Sequence, residues 1–213
     1  MSAAIADPSR AAGLRRLEAF APSAGLRYAK SRNFDFGPER RANVSVLSPY
    51  VRHRLVLEQE LIETALRGHS PAEADKFIQE VFWRTYFKGW MEQHPGVWTN
   101  YRESVAGLTD QLEQDPDLLD RYNTAVEGNT GIDCFDAWIH ELVATGYLHN
   151  HARMWFASIW IFTLRLPWTL GASHFLSHLL DGDAASNTLS WRWVGGLHTR
   201  GKHYLARASN IAK

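Results

Sequence analysis

Three segments of this sequence carry residues whose types and spacing suit chemistry. The first is DGDAASNTLSWRW, residues 181–193. Asp181 and Asp183 flank Gly182, small residues lead on to Asn187, and Trp191 and Trp193 close the run. Asp183 followed by small residues suits a helix N-cap, where a carboxylate accepts from the first free backbone N–H groups. An Asp-x-Asp also suits calcium, but the further oxygen ligands calcium needs at regular spacing are missing. The second segment is TGYLHNHARM, residues 145–154. Asn150, Arg153 and Met154 stand at i, i+3 and i+4, so they share one helix face. Arg153, beside Trp155 and Phe156, needs an acidic partner if it is buried. The third is FIQEVFWRTYF, residues 77–87, where Glu80 and Arg84 stand one turn apart with Trp83 between them. An exposed pair of that kind is worth only a few tenths of a kcal/mol. This helix is apolar nearly all round, so both charges are expected to line a cleft.

Composition narrows the classes. The chain has 213 residues, of which 45% are hydrophobic, enough for one domain with a sizeable core. We expect a single helical domain over 1–213, with residues 1–9 flexible. No apolar run is long enough for a membrane helix, and the first residues lack a signal-peptide core, so a cytoplasmic protein is expected. The 23 basic and 23 acidic residues balance. A neutral total does not argue for nucleic acid, yet a local basic groove is compatible with it. The single cysteine, Cys134, excludes an internal disulfide and a cysteine-only metal site. His174 and His178 have the i,i+4 spacing of metal ligands, with Asp181 close behind. An ordinary amphipathic helix explains them, and no metal is expected.

The elements that position these groups read as helices throughout, so the fold class is all-α. Arg10 to Phe20 is predicted as a helix burying Leu14 and Leu17, and Pro22 to Asn43 as a loop. Ser48-Pro49 starts a helix, Ser48 as N-cap, which runs toward Arg67 and stops at Gly68. Ser70-Pro71 starts the next, to about Gln93. Residues 97–114 read as irregular or weakly helical. Asp115-Pro116 opens a short helix, and Gly128 to Gly131 a turn. Helices follow from Asp133 to about Ala144, from His149 to about Leu164, and from Gly171 to Leu180. The remainder reads as a Gly-rich turn, the tryptophan pair and a short helix.

Taken in order, EVFWR, EGNTG, ATGYLHN with ARM, Trp168, LLDGDAASN and WRW resemble the FAD-binding domain of the photolyase/cryptochrome family. The resemblance covers nearly the whole chain. It is most specific through about the last 90 residues and looser in about the first 70, where VSVLSPYV resembles a degraded form of the family's phosphate loop. It implies a helical domain holding FAD. Tyr28, Ser45, Leu47 and Ser48 are then expected at the diphosphate and ribityl region, with Phe77, Glu80, Arg84 and Asn150 also at the cofactor. Arg153 is expected to pair with Asp181 beside the isoalloxazine ring, Asp183 to bond the ring or ribityl edge, and Asn187 to face flavin N5. An asparagine there goes with photolyases. Trp191 and Trp168 match the inner two members of the family's electron-supplying tryptophan chain. The outer member falls near Leu112, where there is no Trp, and Trp98, Tyr101 and Tyr122 are the candidate substitutes.

The resemblance implies a deoxyribodipyrimidine photolyase-like lyase that repairs cyclobutane pyrimidine dimers in DNA by light-driven electron transfer. The DNA partner would be single-stranded or carry a flipped-out dimer, met by Trp83, Trp193, Met154, Asn150 and Glu80. Repair of (6-4) photoproducts uses a histidine pair where this chain has Asn150 and Met154, and is disfavoured. The alternative is a cryptochrome-like flavin photoreceptor or another non-repair flavoprotein. Three departures favour it somewhat: the family's N-terminal antenna domain has no counterpart here, the loop carries Val44 and Val46 in place of threonine and arginine, and the charge is neutral. A separate antenna or signalling protein is a further expected partner. The final stretch, with His198, Arg200, Lys202, His203 and Arg207, is either a basic rim for phosphate or a solvated tail.

Overall fold

Ser9 accepts from the Ala12 N–H and so caps the first helix, α1 (Arg10–Phe20), as its short hydroxyl side chain favours. After it come α2 (Leu26–Ser31), α3 (Ser48–Arg52), α4 (Glu58–Gly68), α5 (Pro71–Gln93) and α6 (Pro95–Gln114). The second half holds α7 (Pro116–Val126), α8 (Asp133–Thr145), α9 (Asn150–Ser158), α10 (Trp168–His178), α11 (Ala184–Val194) and α12 (Ala208–Ile211). The structure, a computed structural model, describes residues 7–199 and 201–212. Among the described residues there is no strand, so the all-α class stands. No helix among them is long and apolar enough to cross a membrane. The chain divides into two compact units, Met1–Phe87 and Lys88–Lys213. Of the stretch expected to be flexible, residues 1–6 lie outside the described residues.

The first unit has its own core. Leu17 and Phe20 of α1, Tyr28 of α2, Tyr50 and Val51 of α3, Leu61 of α4 and Phe77 and Val81 of α5 pack together. Three expectations need correction here. The loop predicted over Pro22 to Asn43 contains α2. The helix predicted from Ser48 toward Arg67 is two helices, α3 and α4. Between them Arg54 takes a left-handed φ of 60°. The Leu55 carbonyl there accepts from Arg10, and Glu60 folds back to accept from the Leu57 N–H, which starts α4 afresh. Ser48 is the first residue of α3 and not its N-cap: the cap position falls on Leu47, with no side-chain bond.

The second unit is built around Phe135, Phe156, Trp160, Phe175, Leu142 and Leu148, all essentially inaccessible. Each such side chain contributes roughly 1.5–3 kcal/mol on burial. Residues 97–114, expected to be irregular or weakly helical, belong to the long, continuous helix α6. Its Tyr101 joins the core, with Trp98, Val105, Leu108 and Leu112 packed against it. Asp115 accepts from Leu118 N–H to cap α7. Gly146 ends α8 in the left-handed conformation, φ 66°, which glycine adopts without a Cβ clash. The helix predicted from His149 to about Leu164 is α9 followed by a π turn, Ile159–Thr163. α10 contacts α6 and α11, and α11 in turn contacts α9 and α6.

Candidate functional site

In the second unit the Asp181–Gly182–Asp183 turn sits between α10 and α11. Asp181 is buried, and its two carboxylate oxygens accept from the two terminal nitrogens of Arg153 at 3.0 and 2.8 Å. The same guanidinium donates through Nε to the Leu148 carbonyl at 2.9 Å and lies 5.2 Å from the Tyr147 ring centre. Such a fork-to-carboxylate pair fixes both groups in angle as well as in distance. Arg153 lies on α9, one turn past Asn150, so the helix aims it back at the turn.

Asp183 is buried too and divides its oxygens. Oδ1 accepts from Ser186 N–H at 3.0 Å and caps α11, while Oδ2 lies 3.6 Å from the Lys88 ammonium. The helix-cap reading and the site reading of Asp183 are therefore compatible, because they use different atoms. One turn on, buried Asn187 donates its amide to the Ala172 carbonyl at 2.7 Å. With Nδ2 committed to the backbone, Oδ1 is the end of Asn187 left to meet a donor.

The aromatic groups form two runs. Buried Trp191 contacts Trp160 with ring centres 6.3 Å apart, and Trp160 contacts Tyr122 at 6.0 Å. Trp168 lies 5.7 Å from Tyr101, which lies 5.2 Å from Trp98. Those are the places of the three residues named as substitutes for an outer tryptophan. Trp193 is 45% exposed, and its ring packs on Tyr204 at 5.5 Å. Tyr204 is held in turn by a 3.0 Å bond from Trp155 Nε1 to its hydroxyl. Asn150 is exposed at the start of α9, with its amide 3.9 Å from the Met154 sulfur.

His174 and His178 stack at 4.1 Å. Among the described residues no group of three metal-ligating side chains comes together. In the tail, His198 faces Trp90 and His203 faces Phe162. Arg200 lies outside the described residues.

In the first unit Tyr28 and Phe77 meet edge to face at 5.4 Å, both buried. Glu80 pairs with Arg32, whose guanidinium also lies 6.0 Å from the Tyr28 ring centre. Arg84 lies 3.4 Å from Glu58. Each member of the Glu80 and Arg84 pair thus has a partner from another element. In the loop, Ser45 Oγ accepts from Leu47 N–H at 3.4 Å and the Ser45 carbonyl accepts from Arg16 at 2.7 Å. Val46 is buried with φ 51°, a conformation that β-branched residues rarely take. Trp83 is 50% exposed.

Sequence reasoning missed Arg32, Glu58, Lys88 and Tyr204. Only Lys88 left a local signal: Glu80, Arg84 and Lys88 recur every fourth residue along α5.

Residues 77–213 match the family model described as the FAD binding domain of DNA photolyase. The deoxyribodipyrimidine photo-lyase of Streptomyces griseus is 34% identical over 156 residues, covering 73% of this chain and 32% of that protein. That of Thermus thermophilus is 33% identical over 193 residues, covering 91% and 44%. Among solved structures, a class III photolyase from Agrobacterium tumefaciens superposes with a TM-score of 0.73 at 24% identity, over 92% of this chain and 40% of that one. The Synechocystis cryptochrome gives 0.75 at 22%, over 94% and 41%. At those identities the two structures speak to the fold alone. The chain belongs to the family of photolyase FAD-binding domains, and FAD is its cofactor. It spans less than half the length of the photolyases it matches.

The residues present fit that cofactor. Flavin N5 in its protonated form is a donor, and Asn187 offers an acceptor. The two buried acids each have a cation beside them, so a polar ring edge held there would meet matched charges and not a bare negative patch.

Proposed function

We propose that this chain is the flavin-holding part of a deoxyribodipyrimidine photolyase acting on cyclobutane pyrimidine dimers in damaged DNA. The observation that carries the reading is the orientation of Asn187, whose amide is spent on Ala172 and whose oxygen is left as an acceptor. The photo-lyase relatives at 33 and 34% identity support it. Bound and reduced, FAD would supply the electron that light drives onto the dimer. The chain's own residues hold and shield it. Arg153 and Asp181 would fix the ring side, Asp183 and Asn187 its polar edge, and Tyr28, Ser45, Leu47, Ser48, Phe77, Glu80, Arg84 and Asn150 the rest of the cofactor. Trp191 and Trp168 would resupply electrons to it. Trp83 and Trp193 each present a half-exposed ring of the kind on which an extruded base stacks, and Met154 and Asn150 complete the substrate contacts.

The test is direct. The protein is reduced, mixed with single-stranded DNA containing thymine dimers, and illuminated with blue or near-UV light while restored thymines are counted. Light-dependent restoration is expected. FAD retained without any restoration would favour a photoreceptor or another non-repair flavoprotein.

A further inference from the structure

The turn between α10 and α11 carries two buried carboxylates two residues apart, Asp181 facing Arg153 and Asp183 facing Lys88. Arg153 is held by tight bonds: two go to Asp181 and one to the Leu148 carbonyl. Lys88 differs. Its ammonium stands 3.6 Å from Asp183 Oδ2, too long for a tight hydrogen bond, and its side chain is 37% exposed against 8% for Asp183. A compact ammonium on a flexible stem has three N–H groups and can serve Asp183 while turning toward another acceptor. Asp183 and Asn187 are joined by the first helical bond of α11, Asn187 N–H to the Asp183 carbonyl at 2.9 Å, and so lie on one face.

Resting on the proposed placement of the flavin edge at Asp183 and Asn187, we infer that Lys88 is a positioning residue that sets the reduction potential of the bound FAD by compensating Asp183. Two-electron reduction with uptake of one proton leaves the ring with one negative charge. A buried carboxylate beside it opposes that change, because a like charge in a poorly solvated site disfavours the anion. Arg153 is neutralised by Asp181. Lys88 stands 3.6 Å from Asp183 and offsets its charge, so its removal makes the ring harder to reduce.

The experiment uses the full chain loaded with FAD, with dithionite as electron source and a reference dye to read the midpoint potential. FAD retained per chain is measured on the same samples. Lys88→Met is expected to shift the reduction equilibrium at least tenfold toward the oxidised form, about 30 mV for a two-electron couple. Lys88→Arg should stay at the parent potential. Asp183→Asn, which keeps a capping oxygen, should move the potential the other way. The double variant should return toward the parent, since no acid is then left to compensate. Lys88→Met with FAD retained and potential unchanged would overturn the role of Lys88 and leave the FAD site standing. A parent protein that holds no FAD would overturn both. Should Lys88→Met lose its FAD, the Asp183→Asn shift decides, and an unchanged potential there sinks the inference.

Discussion

Arg153 and Asp181 lie 28 residues apart in the chain and meet through two parallel bonds, 3.0 and 2.8 Å long, with Asp181 almost wholly out of solvent. Removing one partner strands the other. Arg153→Ala or Asp181→Asn should weaken FAD retention sharply and destabilise the fold by about 3–5 kcal/mol, the usual penalty for a buried charge left alone. Flavin released on denaturation, per mole of chain, reads the first effect, and urea unfolding reads the second. Undiminished FAD in either variant would remove the pair from the cofactor site.

Gly171 is where Trp191 and Trp160 close onto α10. A Cβ there would come within 2.4 Å of the Trp191 ring and 2.8 Å of the Trp160 ring. Gly171→Ala should therefore cost about 1–3 kcal/mol through overpacking, several degrees in Tm for a chain of this size. Gly107, on the exposed side of α6, has open space around it. There the same substitution should stabilise by about 0.5–1 kcal/mol, because alanine restricts the unfolded chain. Two melting curves check both signs.

His174 predicts an acid sensitivity. Burial, helped by the neighbouring His178 charge, lowers its pKa from 6.5 to about 4. Above pH 6.5 the folded and unfolded forms are both neutral at this residue and nothing is lost. As pH falls toward 4 the unfolded chain takes up a proton that the folded chain refuses, so stability drops. The full loss, reached below pH 4, is roughly 3 kcal/mol. His174→Leu should flatten that part of the profile. Urea midpoints at pH 7, 5.5 and 4 give the comparison, and equally steep curves for parent and variant would place the cause elsewhere.

Trp191→Phe keeps an aromatic ring in the core but raises the energy needed to oxidise it. Under illumination with a thiol reductant the bound FAD should stay oxidised much longer than in the parent. Chemically reduced variant should keep whatever repair activity the parent shows. Normal photoreduction would mean that another aromatic feeds the flavin.

Punctuation made much of the fold legible. Ser70-Pro71 and Asp115-Pro116 start helices and Gly146 ends one, because capping and left-handed turns need those residue types whatever surrounds them. α6 escaped because its polar, glycine-containing surface hides a stripe at Trp98, Tyr101, Val105, Leu108 and Leu112 that only the packed core reveals. The break after α3 escaped as well: Arg54 turns left-handed there, and the Leu55 carbonyl beside it accepts from Arg10, 45 positions away. The site was legible by motif more than by spacing. Asn150, Arg153 and Met154 share a face by arithmetic, but nothing local ties Arg153 to Asp181. Lys88 was overlooked because its counter-ion lies 95 positions away, and charge pairing at that range follows topology alone.

The end of the described chain is stitched across the second unit. Tyr204 N–H bonds the Val194 carbonyl, its hydroxyl takes the Trp155 indole, and Ala206 N–H reaches Ser158 Oγ. Lys202, just before these stitches, is exposed. A tryptic nick after Lys202 would then yield two covalently separate pieces that migrate as one particle in native buffer and part only in denaturant. The clipped peptide, made synthetically, would be a natural reagent for reassembly: added back in trans, it would restore the wall on which the Trp193 ring leans.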